Sequence, residues 1–201
     1  GSTTSAQRRN DRTRYLVSVV FASESAGLVY PDGTQALTDT SVIVTAGEFV
    51  SIVGPSGCGK STLLRMASGL IAPTSGSISR TGTVQFVFQD STLLPWRTVR
   101  KNVALNLELQ KVDQHIVNER TSAALALVGL TDSAEKLPRQ LSGGMKMRTS
   151  LARSLVCEPD LYLFDEPFAA LDEFSRERLN IELRTMLSSR NAGSLFVTHS
   201  I

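Results

Sequence analysis

Residues 48–70 read EFVSIVGPSGCGKSTLLRMASGL, and their order decides the architecture. A short apolar run, Phe49 to Val53, leads into a glycine-rich turn. Beyond it Leu63, Met66 and Ala67 recur at helical spacing, with Gly69 placed to stop the helix. Strand, glycine loop and helix in that succession form a backbone cradle for phosphate. Gly54-x4-Gly59-Lys60-Ser61 matches the Walker A pattern in full. Gly54, Pro55, Ser56, Gly57, Cys58, Gly59, Lys60, Ser61 and Thr62 are thus the expected nucleotide-phosphate loop. Lys60 would set its charge on the β/γ-phosphates, and Ser61 would ligate Mg²⁺.

The bulk of the chain suits one domain built around such a loop. Its 201 residues, 41% hydrophobic and 20% charged, are enough to bury about 70% of the extended-chain surface. A net charge of +2 is too small to argue for a nucleic-acid or other polyanion binder. The basic residues of AQRRNDRTR (6–14) read as a solvated arm, and Gly1-Ser2 as a tag remnant. Cys58 and Cys157 lack CxxC spacing, so neither a disulfide framework nor a zinc site is expected, and a reducing compartment is the simplest setting. No apolar run reaches the roughly 18 residues of a membrane span.

Alternation along the chain extends the pattern. Residues 15–53 hold β-branched runs separated by PDG (31–33) and Ala46-Gly47. VRKNVALNLEL (99–109) and DQHIVNERTSAALALVGL (113–130) have helical apolar spacing. In LSGGMKMRTSLARSLV (141–156), Met147, Leu151 and Leu155 line one helix face; in RERLNIELRTMLSS (176–189), Leu179, Leu183 and Leu187 do the same. LYLF (161–164) and SLFVTH (194–199) read as buried strands. The expected fold is α/β: a phosphate-loop NTPase core with a mostly parallel sheet, an N-terminal antiparallel β subdomain and an inserted α-helical subdomain. The expected boundaries are a flexible arm at 1–14 and one domain at 15–201. Within it 15–96 and 156–201 form the core and 97–155 the helical part.

Two further stretches carry chemistry. LYLF delivers Asp165 to the carboxyl end of a buried strand, where open α/β sheets hold ligands, so Asp165 suits the Walker B role on Mg²⁺. Glu166, facing the other way on an extended backbone, would polarise the attacking water. LSGGM (141–145) opens a helix with Ser142 as N-cap and no acidic neighbour, a second anion-binding start. One nucleotide already has its phosphates covered by the first loop. The second can close over the same nucleotide only from another copy, so the two loops read as opposite halves of a site shared by a dimer.

The ordered set of Walker A, FQD (88–90), LSGGM, LYLFDE, AALD (169–172) and VTH (197–199) resembles the nucleotide-binding subunit of ABC transporters, from about residue 15 onward. The resemblance implies that Gln89 touches Mg²⁺ or the water, and that Ser142, Gly143 and Gly144 meet the γ-phosphate of the partner's ATP. It implies that Asp172 lies at the dimer seam, that His199 contacts the γ-phosphate and helps place Glu166, and that Tyr30 stacks on adenine. ATP and Mg²⁺ are the implied cofactors. Implied partners are a second copy, integral permease subunits and an upstream solute-binding protein, without nucleic acid; the implied place is the cytoplasmic face of the cell membrane, as a peripheral subunit. FQDSTLLPWRTVRKNVALNLEL (88–109) is similar to importers of nitrate, taurine and alkanesulfonates, with Leu94-Pro95-Trp96 where a permease coupling helix docks.

Three departures from that pattern are expected to matter. Met145 stands where many members carry glutamine. The 75–89 segment is shorter than the family's usual hairpin. The sequence given stops at Ile201, just past the switch histidine, which reads as a truncation. A cassette that binds ATP without turning it over, and a soluble ABC ATPase outside transport, stand as alternatives at this point.

Overall fold

Alternate residues of two central strands feed two different cores, and that division organises the molecule. The computed structural model describes residues 18–169 and 171–198; the N-terminal arm, Ala170 and His199 lie outside them. Strands β1 (Val19–Val29), β2 (Gln35–Thr45) and β4 (Ser75–Arg80) form an antiparallel sheet in the order β2-β1-β4. The other four, β3 (Phe49–Val53), β5 (Val84–Val87), β6 (Leu161–Asp165) and β7 (Gly193–Thr198), form a sheet of order β3-β7-β6-β5, every pair parallel.

Strand side chains alternate with period two. Leu161, Leu163, Leu195 and Val197 therefore face one core, shared with helix α1 (Lys60–Ser68) and with Phe21, Leu28 and Val44 of the antiparallel sheet. Tyr162, Phe164 and Phe196 face the opposite core, shared with α2 (Val99–Leu109), α3 (Gln114–Leu127), α4 (Gly143–Leu155) and α5 (Glu173–Ser189). A parallel sheet covered on both faces needs continuous apolar strands, which LYLF and SLFV supply. Each such side chain contributes about 1.5–3 kcal/mol of burial. The residues expected inward on α4 and α5 are all buried.

The segment 75–87 is not a hairpin. β4 pairs antiparallel with β1, whereas β5 pairs parallel with β6. Between them Gly82 turns at φ 72°, and Asp160 accepts hydrogen bonds from Thr83 N (2.7 Å) and Thr83 Oγ1 (3.0 Å). Those bonds hold the Asp160 carboxyl below the usual carboxylate range. They also pin the start of β5 beside the start of β6, steering it away from β4.

Candidate active site

Because the strands of the second sheet run in parallel, the glycine loop, the lead to Gln89 and Asp165 all leave from its carboxyl end. β3 ends in the glycine loop, β5 leads to Gln89, β6 ends at Asp165, and β7 ends at Thr198.

The loop is built by its glycines. Gly57 and Gly59 sit at φ 81° and 93°. A Cβ on Gly59 would lie 2.3 Å from Ala36 O and 2.7 Å from Leu37 Cδ1, so only glycine lets the loop press against β2. Gly59 is also the N-cap of α1; no side chain caps this helix and no acidic residue stands in its first turn. The helix start is left electropositive. Lys60 is buried and curls back, donating to Gly54 O (2.8 Å) and Pro55 O (2.7 Å), so its ammonium is held over the loop.

Ser61 Oγ donates to Asp165 Oδ1 at 2.9 Å across 104 residues of sequence. Asp165 itself is buried at the end of β6. A hydroxyl and a carboxylate converging beside a lysine are oxygen donors suited to Mg²⁺, which takes one or two carboxylates plus phosphate oxygens and waters. Among the described residues no group of three or more His, Cys, Asp or Glu could hold a metal ion.

Glu166 departs from the extended backbone expected of it. Its φ is 48°, its N–H donates to Val197 O (3.0 Å), and its carbonyl accepts from Ala169 N (3.1 Å). The chain leaves the ladder at this residue, and a left-handed non-glycine residue costs about 1–2 kcal/mol. Glu166 lines a cavity of about 670 Å³ that runs along β3 and α5 and includes Thr198. None of residues 54–62 lines it. Gly57 and Cys58 border a separate, shallower hollow of about 290 Å³ with Gln35 to Thr38. Neither cavity draws on residues 142–144.

The remaining residues are placed as follows. Tyr30 is half-buried against the antiparallel sheet's core, just before the turn at 31–33. Gln89 is exposed two residues past β5. Ser142 caps α4, its Oγ accepting from Met145 N at 3.3 Å, while Met145 packs on the core. Ser142 and Gly143 are exposed, and a Cβ on Gly143 would meet nothing within 4 Å. Asp172 is the N-cap of α5, accepting from Ser175 N at 2.9 Å, a bond that holds its carboxyl below the usual range. Two residues had no signal in the sequence: Asn102 and Arg153, both hydrogen-bonded to the loop after Gln89. A single Asn or Arg within a helix looks like any surface residue until its partners are known.

A family model described as ABC transporter matches residues 37–169. The chain is 41% identical to the nitrate import ATP-binding protein NrtC of Synechococcus elongatus, over 92% of this chain and 30% of that protein. It is 40% identical to the bicarbonate transport ATP-binding protein CmpD of Synechocystis sp., over 89% and 68% respectively. It thus spans less than a third of one relative and about two thirds of the other. Among solved structures, the dimeric post-hydrolysis state of the ATP-binding cassette MJ0796 bound to ADP and Pi matches with TM-score 0.82 at 30% identity, covering 90% of this chain and 88% of that one. With the matched region taking in the phosphate loop, the LSGGM start of α4 and the Asp165 strand, the chain belongs to the ABC transporter family.

Proposed function

We propose that this chain binds and hydrolyses ATP to power import of a small solute through a membrane permease, in the class of nitrate, bicarbonate, sulfonate or taurine. The observation that carries the reading is the hydrogen bond from Ser61 of the phosphate loop to Asp165 at the carboxyl end of β6, with the Lys60 ammonium held by Gly54 O and Pro55 O of the same loop. The open setting of the loop supports a site completed by a second copy, whose Ser142, Gly143 and Gly144 would cover the γ-phosphate.

Each residue then has a task. The loop binds the phosphates through backbone N–H groups, and Lys60 swings from Gly54 O and Pro55 O to the β/γ-phosphates. Ser61, Asp165 and Gln89 would hold Mg²⁺, which when bound would neutralise phosphate charge. Glu166 accepts a proton from the attacking water, and His199 orients Glu166. Tyr30 stacks on adenine. Catalysis here is mostly positioning and charge stabilisation. Closure on ATP and opening after hydrolysis would be passed to the permease near Trp96, which is 74% exposed beside Leu94 and Pro95. No helix among the described residues is long and apolar enough to cross a membrane. On this reading the chain is a peripheral subunit, held by permease subunits at the cytoplasmic face and served by a solute-binding protein.

The test is the order of the reaction in protein. Phosphate release from Mg-ATP should rise roughly with the square of protein concentration while the dimer is sparsely populated, turning linear at saturation. Strict proportionality down to nanomolar protein would mean that one copy suffices.

A further inference from the structure

We propose that Arg153 is a positioning residue that ties the loop at residues 91–98 to the signature helix α4, so that this loop turns with Ser142 rather than with the sheet. Arg153 lies in the last turn of α4 and is half-buried. Its guanidinium donates to Thr92 O (3.0 Å), Ser91 O (3.2 Å) and Thr92 Oγ1 (2.9 Å). Thr92 sits at φ 42°, a left-handed conformation that a β-branched residue keeps only where its surroundings hold it. Here both its carbonyl and its hydroxyl are caught by one planar fork, a geometry that lysine cannot reproduce.

The far end of the same loop is held by α2. Asn102 is fully buried; its amide donates to Leu94 O, Arg97 O and Thr98 O at 2.9–3.1 Å, and its oxygen accepts from Leu94 N at 2.8 Å. Arg97 adds an ion pair with Glu108 of α2. Val99 and Val103 of α2 share a core with Leu151 and Leu155 of α4. Both ends of the loop are therefore fastened to packed helices, whereas residues 88–90 join it to the sheet. Gln89 stands in that join. The inference rests on the reading of Gln89 and Ser142 as groups facing two different ATP molecules: Arg153 would make a change at one felt at the other.

Trp96 is the chain's single tryptophan and lies in the fastened loop, so its fluorescence reports on the tie directly. The experiment compares wild type, Arg153→Ala and Arg153→Lys, each full length and checked for folding by circular dichroism. Trp96 anisotropy is measured without nucleotide, Mg-TNP-ATP affinity by titration, and kcat and KM by phosphate release. We expect Arg153→Ala to lower the anisotropy, to leave TNP-ATP affinity and KM within about twofold, and to lower kcat about tenfold, with Arg153→Lys recovering less than half of either loss. Wild-type anisotropy and kcat in Arg153→Ala would overturn the proposal, as would kcat and TNP-ATP affinity falling in parallel. If Arg153→Ala does not fold, Arg153→Lys decides by the same two readouts. Failure of the wild type to bind TNP-ATP would instead remove the reading of the phosphate loop, while the anisotropy comparison, which needs no nucleotide, still decides whether Arg153 holds the loop.

Discussion

Glu166→Gln protein should bind Mg-ATP within about twofold of wild type and hydrolyse it on the order of 10²–10⁴-fold more slowly, the range for losing one general base. The substitution keeps the size of the side chain and its ability to hold a water, and removes its ability to take a proton. Its backbone place is fixed independently of the carboxylate, by Glu166 N donating to Val197 O and Glu166 O accepting from Ala169 N. The left-handed turn should therefore survive. Single-turnover phosphate release beside a nucleotide titration measures the two effects separately. Wild-type hydrolysis in this variant would move the base elsewhere and leave Glu166 as a strained strand end without a role.

Lys60→Ala should weaken nucleotide binding by a margin equivalent to about 2–5 kcal/mol, the range for truncating one partner of a hydrogen-bonded charge pair. The loss has two sources. The phosphates would lose their cation, and the loop would lose the ammonium that bridges Gly54 O and Pro55 O. Lys60→Arg tells them apart: it keeps the charge with a bulkier, planar head, and in a buried site this should restore part of the affinity and little of kcat. Calorimetric titration with Mg-ATP checks both variants. Affinity unchanged in Lys60→Ala would mean that phosphate is held by backbone N–H groups alone.

Sequence and structure meet most closely where one local signal carries the answer. The strand–loop–helix at 48–70 was legible because glycines, a lysine and a period change stand side by side. The burial of Leu179, Leu183 and Leu187 was legible for the same reason. What could not be read depends on distant partners. Nothing near Glu166 announces its positive φ, which stands where Glu166 N donates to Val197 O of β7 and Glu166 O accepts from Ala169 N. The segment 75–87 divides between two sheets, β4 pairing with β1 and β5 with β6, and Asp160, more than seventy residues later, holds Thr83 just before β5. Asp172, expected from the resemblance at a dimer seam, has a local occupation as the cap of α5 that its position before a helical run could have suggested. Asn102 stands in the 88–109 stretch without a mark of its own, and its burial and its bonds to three carbonyls emerge only from the fold.

In the proposed cycle the loop at 54–62 and the start of α4 are two halves of a site shared between copies. Light scattering of Glu166→Gln protein, with and without Mg-ATP, tests it most directly, because hydrolysis no longer reopens the pair. We expect the mass to double on adding Mg-ATP, and to stay monomeric when Ser142→Arg, which crowds the exposed start of α4, is added to the same chain. A protein that binds Mg-ATP yet remains a monomer at every concentration would contradict the shared site.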